Sequence, residues 1–325
     1  MASEQVSLPD GRGLARGLQL LSEPRPSGSD IGKFISKQSL SVVVIARDEG
    51  KELRLTLENL EDTLPAKSEI VVVDDGSRDG SADFLEGRRG RVRLKRTAQL
   101  GVARARNFGA RHSRGDVIVF VDAHIRLDQL WWQPLLEPLQ NPAVAAVAPA
   151  VTDLRRKMRP GYGLTLAAPS LEIKWLRKKS SKPFAAPILP GCCVAMRRDR
   201  FEESGGWDEG LVVRGGVDNE FCLRLWLLGW ELLIAPGVEV RHKFRKRSPY
   251  PVGWTGYIHN GLRLAFAHLK PQRLAKVVQA MRGHPELGAA LALLLDRGIC
   301  ARRRDMMAQR VRDDDWFFEK FGIRW

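Results

Sequence analysis

Gly115-Asp116-Val117-Ile118-Val119-Phe120-Val121-Asp122-Ala123-His124 is a short apolar run, rich in β-branched residues, that ends on an acid and an imidazole two positions apart. Such a run predicts a buried strand. Side chains at i and i+2 of an extended segment leave the backbone on the same side. Asp122 and His124 are therefore expected to present an oxygen and a nitrogen to one point just beyond a strand's C-terminal edge, where open α/β sheets keep their ligands. A carboxylate after a strand can equally be a turn former or a helix cap. A third residue favours a metal: His242 follows another apolar run, Glu231 to Val240, and a set of one oxygen and two nitrogens suits Mn²⁺ or another divalent ion.

The 325 residues leave room for one large domain or two ordinary ones, and 44% apolar content is ample for a folded core. A formal charge of +15 invites a nucleic-acid or anionic-membrane reading. Much of that excess, however, is scattered, as in Arg88, Arg89, Arg91, Arg93, Lys95 and Arg96, and the aromatic interleaving of an RNA-binding sheet is missing. A nucleotide-diphosphate ligand or an acidic acceptor fits the basic balance as well, so nucleic acid is the less favoured partner. Cys192, Cys193, Cys222 and Cys300 form no CxxC pair, which argues for a reducing compartment. There is no signal-peptide pattern, and the longest apolar run, Leu287 to Leu295, is too short to span a bilayer. A cytoplasmic protein is expected, with peripheral membrane contact left open.

Residues 1–38 mix Gly, Ser, Pro and charge without a period and read as a leader segment. The folded body is expected to start at residue 39. Ser41 to Ala46 is a β-branched strand, followed by Arg47-Asp48-Glu49 and a stretch with Leu53, Leu57 and Leu60 at helical spacing. Glu69 to Ser77 repeats the pattern. Two strand-helix units in succession argue for a parallel sheet with right-handed crossovers. Asp74 and Asp75, ending the second strand, can accept from a base N–H or from ribose hydroxyls, or they can form a tight Asp-Asp-Gly-Ser turn. Neither G-x-G-x-x-G nor a Walker A loop occurs, which counts against a dinucleotide oxidoreductase or a P-loop enzyme. After a short basic strand near Val92, residues Gly101 to Ala110 predict a helix whose Arg104 or Arg106 can neutralise a diphosphate; Arg104 is the one favoured.

In this order the motifs resemble the nucleotide-sugar-binding half of family 2 glycosyltransferases, with a GT-A fold. The catalytic domain of the polypeptide N-acetylgalactosaminyltransferases is more similar still. That family uses Asp-x-His where most relatives use Asp-x-Asp, and a later His, here His242 within Val240 to Arg245, supplies another manganese ligand. The resemblance runs over residues 40 to 260. It implies an α/β, Rossmann-like domain at 39–254 with a mostly parallel central sheet, followed by a C-terminal helical extension at 255–325. It also implies a UDP-sugar donor with Mn²⁺ or another divalent cation on Asp122, His124 and His242. The donor site would include Ala46, Asp48, Asp74 and Asp75, with Arg104, Asp122 and Gly191 closing it. The stretch after Tyr257 is too short for a trefoil lectin domain.

Thr152 to Pro187 turns rich in Arg, Lys, Pro and Gly and is expected as a long loop over the site, where Lys174, Trp175, Arg177 and Lys178 can meet an acceptor. Gly191, in Leu189 to Met196, is expected to let a sugar approach the backbone closely. Within Gly215 to Arg224, Glu220 lies one helical turn before Arg224 and can pair with it. Polypeptide transferases resembling this chain carry a Glu directly after the two glycines, where Val217 stands here. Inverting family 2 enzymes have a Glu-Asp pair whose Asp is the general base, and Asp218 matches that Asp. The expectation is an inverting transferase with Asp218 as base, although Asp218 can also be a helix cap. The alternatives are a retaining transferase acting on protein Ser or Thr, and a sugar-nucleotide or nucleic-acid binder without turnover. The acceptor stays open among peptide, glycan, lipid carrier and natural product. Trp316, Phe317, Phe318, Phe321 and Trp325 are too apolar to leave exposed together and are expected to pack on the body, ahead of dimerisation or an anionic membrane.

Overall fold

A computed structural model of the chain describes residues 39–156, 159–177, 180–245, 248–251 and 253–325. The expected leader at 1–38, and Lys178 among the acceptor candidates, lie outside them. Strands β1 (Leu40–Ala46), β2 (Glu69–Asp74), β3 (Val92–Arg96) and β4 (Val117–Asp122) run parallel in the order β3-β2-β1-β4. Helices α1 (Lys51–Thr63) and α2 (Val102–Arg111) provide crossovers between them. These strands are apolar along their whole length because a parallel sheet is covered on both faces. Alternate residues supply the two covers: Val43, Val71, Val73, Ile118 and Phe120 face one core, while Val42, Val44, Ile70, Val72, Val119 and Val121 face the other.

The remainder of the chain widens this into a mixed nine-stranded sheet. β5 (Ile125–Leu127), the helix α3 (Trp132–Leu136) and β6 (Val144–Asp153) follow β4, and then come β9 (Phe184–Ala185), β10 (Cys193–Arg197) and β11 (Glu231–His242), so that the order continues β4-β10-β6-β11-β5 with β9 on β11. β10 is antiparallel to both β4 and β6, and its first residue, Cys193, stands opposite Val121. Consequently the start of β10 lies beside the end of β4. β11 runs parallel to β6 but antiparallel to β5, pairing His242 with Ile125.

The region expected as a long loop is in part ordered into a second sheet, β7 (Leu164–Ala167) antiparallel to β8 (Glu172–Trp175). Leu164, Leu166 and Leu171 are buried, so this segment has an apolar side of its own to anchor it, masked in the sequence by the surrounding basic residues. After β10 the helix α4 (Arg198–Glu203) leads to α5 (Val217–Leu227).

The C-terminal helices α6 (Trp254–His268), α7 (Pro271–Met281), α8 (Leu287–Asp296), α9 (Ile299–Gln309) and α10 (Asp314–Lys320) close the chain. Asp313 caps α10 by accepting from the Trp316 backbone N–H, and Trp316 and Phe321 pack against the buried Trp226 of α5 at ring separations of 6.0 and 5.0 Å. The aromatic run is therefore packed inward, as its composition demands. Among the described residues no helix is long and apolar enough to cross a membrane.

A buried polar network fastens these helices to α5. Arg224 donates to Glu220 at 2.8 Å and to the carbonyls of Ser204 and Gly206 at 2.5 and 2.6 Å, while His268 of α6 approaches the same Glu220 at 2.9 Å. Arg263 of α6 grips Asp208 with two bonds, of 2.7 and 2.9 Å. Substituting Glu220→Leu strands the Arg224 charge in the interior and is expected to lower the unfolding free energy in urea by about 3–5 kcal/mol. A loss below about 1 kcal/mol, the worth of an ordinary hydrogen bond, would mean that the two carbonyls satisfy Arg224 without the carboxylate.

His268 adds a pH dependence. Burial lowers its imidazole below the usual range, against a hydrogen bond to Glu220 that raises it. As the pH falls, the unfolded chain takes up this proton before the folded one, so the contribution is present above the unfolded value of 6.5 and is lost below it. Denaturation midpoints taken downward from pH 7.5, in roughly half-unit steps, are expected to fall less steeply for His268→Asn than for the parent.

Candidate functional site

Asp122 ends β4, His124 follows two residues later, and His242 ends β11; one donor atom from each lies within 4.8 Å of the others. The sheet makes this convergence across 120 positions: the β11–β5 ladder aligns His242 with Ile125, and the Lys243 N–H donates to the His124 carbonyl at 3.0 Å. His242 Nε2 stands 3.2 Å from Asp122 Oδ2. His124 Nδ1 stands 3.0 Å from Glu49 Oε2, which leaves its Nε2 as the free ligand nitrogen. A carboxylate behind a histidine in this way fixes the ring and strengthens it as a ligand. Burial pushes the Asp122 carboxyl up, but the hydrogen bond from His242 and the charges of His124, His242 and Arg106 outweigh it and hold the group well below the usual carboxylate range. One anionic oxygen and two imidazole nitrogens at this spacing fit a divalent ion of the manganese kind.

The acid that reaches this centre from the first turn is Glu49, which also pairs with Arg245. Asp48, the sequence candidate, has a left-handed backbone (φ +52) and accepts from the Arg78 N–H at 2.7 Å. Nothing in the sequence separates the two acids; the turn does.

Arg106 is the guanidinium that α2 brings to the site. It is 4% exposed, donates to Asp218 Oδ1 at 2.7 Å and to the Gly191 carbonyl at 2.8 Å, lies 3.8 Å from Asp122 Oδ1, and stacks 4.3 Å over the Trp207 ring. Arg104, the residue favoured from sequence, instead donates to the Glu209 carbonyl at 2.8 Å and does not line the cleft. The reason is helical phase. Ala103, Arg106, Asn107 and Ala110 form the buried face of α2, and a residue two positions from Arg106 points about 200° away.

Asp218 is the second residue of α5, behind Gly216 at φ +68. What lies against Gly191 is its carboxylate: a Cβ at residue 191 would stand 2.0 Å from Asp218 Oδ1. Asp75 lines the cleft while accepting from the N–H groups of Leu100 and Gly101 at 2.6 and 2.8 Å, so it clamps the entry to α2. Asp74 does not line it: 1% exposed, it is paired with Arg96 and accepts from the Ser77 N–H. Ala46 lines the cleft, its carbonyl accepting from the Asp75 N–H at 2.8 Å. The enclosed space is about 330 Å³, bordered also by Arg47, which lies 4.3 Å over the ring of Tyr250, and by the Val213 to Gly216 turn. Of the acceptor candidates, Lys174 is exposed, Arg177 donates to the Arg159 carbonyl, and Trp175 packs edge-on to Phe244 at 6.2 Å.

The family model described as glycosyl transferase family 2 matches residues 41–205. Polypeptide N-acetylgalactosaminyltransferase 11 of Xenopus tropicalis is 34% identical over 255 residues, which cover 69% of this chain and 42% of that protein. Probable N-acetylgalactosaminyltransferase 8 of Caenorhabditis elegans is 30% identical over 261 residues, 72% of this chain and 62% of that one. Among solved structures, that of GalNAc-T7 with UDP, GalNAc and Mn²⁺ matches with a TM-score of 0.70 at 23% identity, over 88% of this chain and 56% of its own, a likeness of fold. The chain thus spans less than two thirds of each of these relatives.

Gly191→Ala puts a methyl into the space of the Asp218 carboxylate. Overpacking of this kind is expected to lower the unfolding free energy by about 1–3 kcal/mol in chemical denaturation. An Ala variant as stable as the parent would show that Asp218 swings clear of Arg106 at no cost.

Proposed function

The chain belongs to glycosyl transferase family 2 and has the GT-A fold, and from that premise we propose that it transfers a sugar from a nucleotide donor, UDP-linked, to an acceptor nucleophile, with Mn²⁺ or a similar cation on Asp122, His124 and His242. Residues 39–254 would form the catalytic domain and 255–325 a helical extension. The observation that carries the reading is the meeting of those three ligands at the mouth of a cleft whose floor is the end of the parallel sheet. A bound divalent ion supplies Lewis-acid stabilisation of the departing diphosphate, of the order of several kcal/mol.

The chain's own residues provide the rest. Arg106 fixes Asp218 through Oδ1, and Oδ2 is the oxygen left to receive the proton of the attacking acceptor. Asp75 holds the loop before α2 against the cleft wall, and Arg47 brings positive charge to the side where a diphosphate would lie. With Asp218 as base, attack comes from the face opposite the diphosphate and the anomeric centre inverts. A reducing, cytoplasmic setting is part of this proposal, suggested by four cysteines that form no CxxC pair.

The names of relatives such as polypeptide N-acetylgalactosaminyltransferase 11 favour a polypeptide acceptor, and the second reading is a transferase that acts on a Ser or Thr hydroxyl with retention of configuration. Transfer from UDP-sugars with Mn²⁺, followed by NMR of the product anomer, separates the two. Inversion is expected, together with a fall in kcat of about 10²–10⁴-fold in Asp218→Asn at unchanged Mn²⁺ affinity. A retained anomer, or an Asp218→Asn enzyme as fast as the parent, would overturn the base assignment. Binding of UDP with no donor cleavage would make the chain a binder.

A further inference from the structure

The two histidines of the metal centre are held in different ways. His124 has the usual support, its second nitrogen bonded to Glu49 at 3.0 Å. His242 lacks it: its Nδ1 is buried and has no hydrogen-bond partner among the described residues. A ligand histidine without a partner on its second nitrogen is free to turn about χ2, a broad torsion, and loses the orientation that such partners ordinarily impose. Something else must hold the ring.

That something is aromatic. The His242 ring sits between the ring of His124, 4.7 Å away, and that of Phe244, which meets it at 4.6 Å and 67°. Edge contacts at such separations favour particular ring orientations over others. Phe244 is in turn met edge-on by Trp175 of β8, with ring centroids 6.2 Å apart and planes at 89°. Trp175 cannot retreat, because its indole lies over Gly161 so closely that a Cβ there would stand 2.2 Å from a ring carbon. A packed line therefore runs from the small β7–β8 sheet through Trp175 and Phe244 to a metal ligand. It also gives a reason for Phe244, a large apolar side chain, to stand 39% exposed at the edge of a polar cleft.

We propose that Phe244, backed by Trp175, is the positioning residue for His242, taking by ring packing the part that the Glu49 carboxylate takes for His124. The proposal rests on the metal reading given above. Its action is on metal affinity, before any donor or acceptor binds, and this distinguishes it from contact between Phe244 and an acceptor.

The experiment is titration of the full chain with Mn²⁺ alone, without nucleotide, read by EPR of the free ion. Phe244→Leu, which keeps most of the volume and removes the ring, is expected to weaken Mn²⁺ binding about tenfold, the lower end of what loss of an orienting partner costs. Phe244→Tyr, which keeps the ring, is expected to bind as the parent does, and Trp175→Leu to lose a smaller factor. His242→Ala serves as the reference. If it binds Mn²⁺ as tightly as the parent, the metal reading falls and this proposal with it. If it loses the metal while Phe244→Leu keeps parental affinity, the metal reading stands and the positioning role is overturned. Metal-free circular dichroism and melting of each variant establish that a lost affinity is not a lost fold; were Phe244→Leu unfolded, parental Mn²⁺ affinity in a folded Trp175→Leu would equally overturn the role.

Discussion

One buried guanidinium ties the site together. Arg106 emerges from α2 almost fully covered, and its charge is answered by Asp218 from α5, by the Gly191 carbonyl from the approach to β10, and at longer range by Asp122 from β4. A buried charge without such partners costs several kcal/mol, so the three elements can pack as they do only if the carboxylates arrive with it. The dependence also runs the other way. Asp122 and Asp218 are two anions facing one cleft, and Arg106 between them lowers their mutual repulsion, leaving Asp122 ionised to meet a cation while Asp218 keeps one oxygen free.

Getting those groups to one place is the work of strand direction rather than of local sequence. Were β10 parallel to β4, its start and Gly191 would lie at the far edge of the sheet; running antiparallel, it brings residue 192 next to Asp122, whose N–H donates to the Cys192 carbonyl at 3.1 Å. The same reasoning applies to β11, whose final pairing with β5 delivers His242 just past the end of β4. Behind Asp218, the Glu220–Arg224–His268 network fixes α5 to the C-terminal helices, so those helices belong to the energetics of the site although they contribute no ligand to it.

What could be read from sequence follows from these facts. The strands β1, β2 and β4 were legible because a doubly covered parallel strand is a continuous β-branched run. Asp122 and His124 were legible because the strand period is two. His242 could be proposed only from residue type and a resemblance, since the pairing that brings it in spans 120 positions. Choosing between Arg104 and Arg106 required the phase of α2, and two alanines, Ala103 and Ala110, mark its inner face too weakly to be seen beside the charges. Asp74 and Asp75 look alike in a row, yet consecutive strand residues point to opposite sides, and Arg96 from β3 takes the first while the cleft takes the second. Glu49 carried no signal at all, because its task is set by a histidine far along the chain.

Local pairing answers part of the net charge. Of the basic cluster that suggests nucleic acid, Arg88 is bound to Glu61, Arg93 to Glu69, and Arg96 to Asp83 and Glu86 as well as Asp74. A recognition surface needs charge that is free to meet phosphate, whereas these side chains are tied back to the body. In the cleft the same test gives a different answer. Lys243 and Arg245 are matched by Glu52 and Glu49, and Arg106 by Asp218, but Arg47 has only Asp48 at 3.9 Å and a buried Nε with no partner among the described residues. The excess of +15 is spread over the whole chain; among the described residues Arg47 and Arg214 are the arginines that line the cleft without a close carboxylate partner, in the same cleft as the candidate ligands Asp122, His124 and His242, and positive charge left unanswered in a cleft suits an anionic ligand.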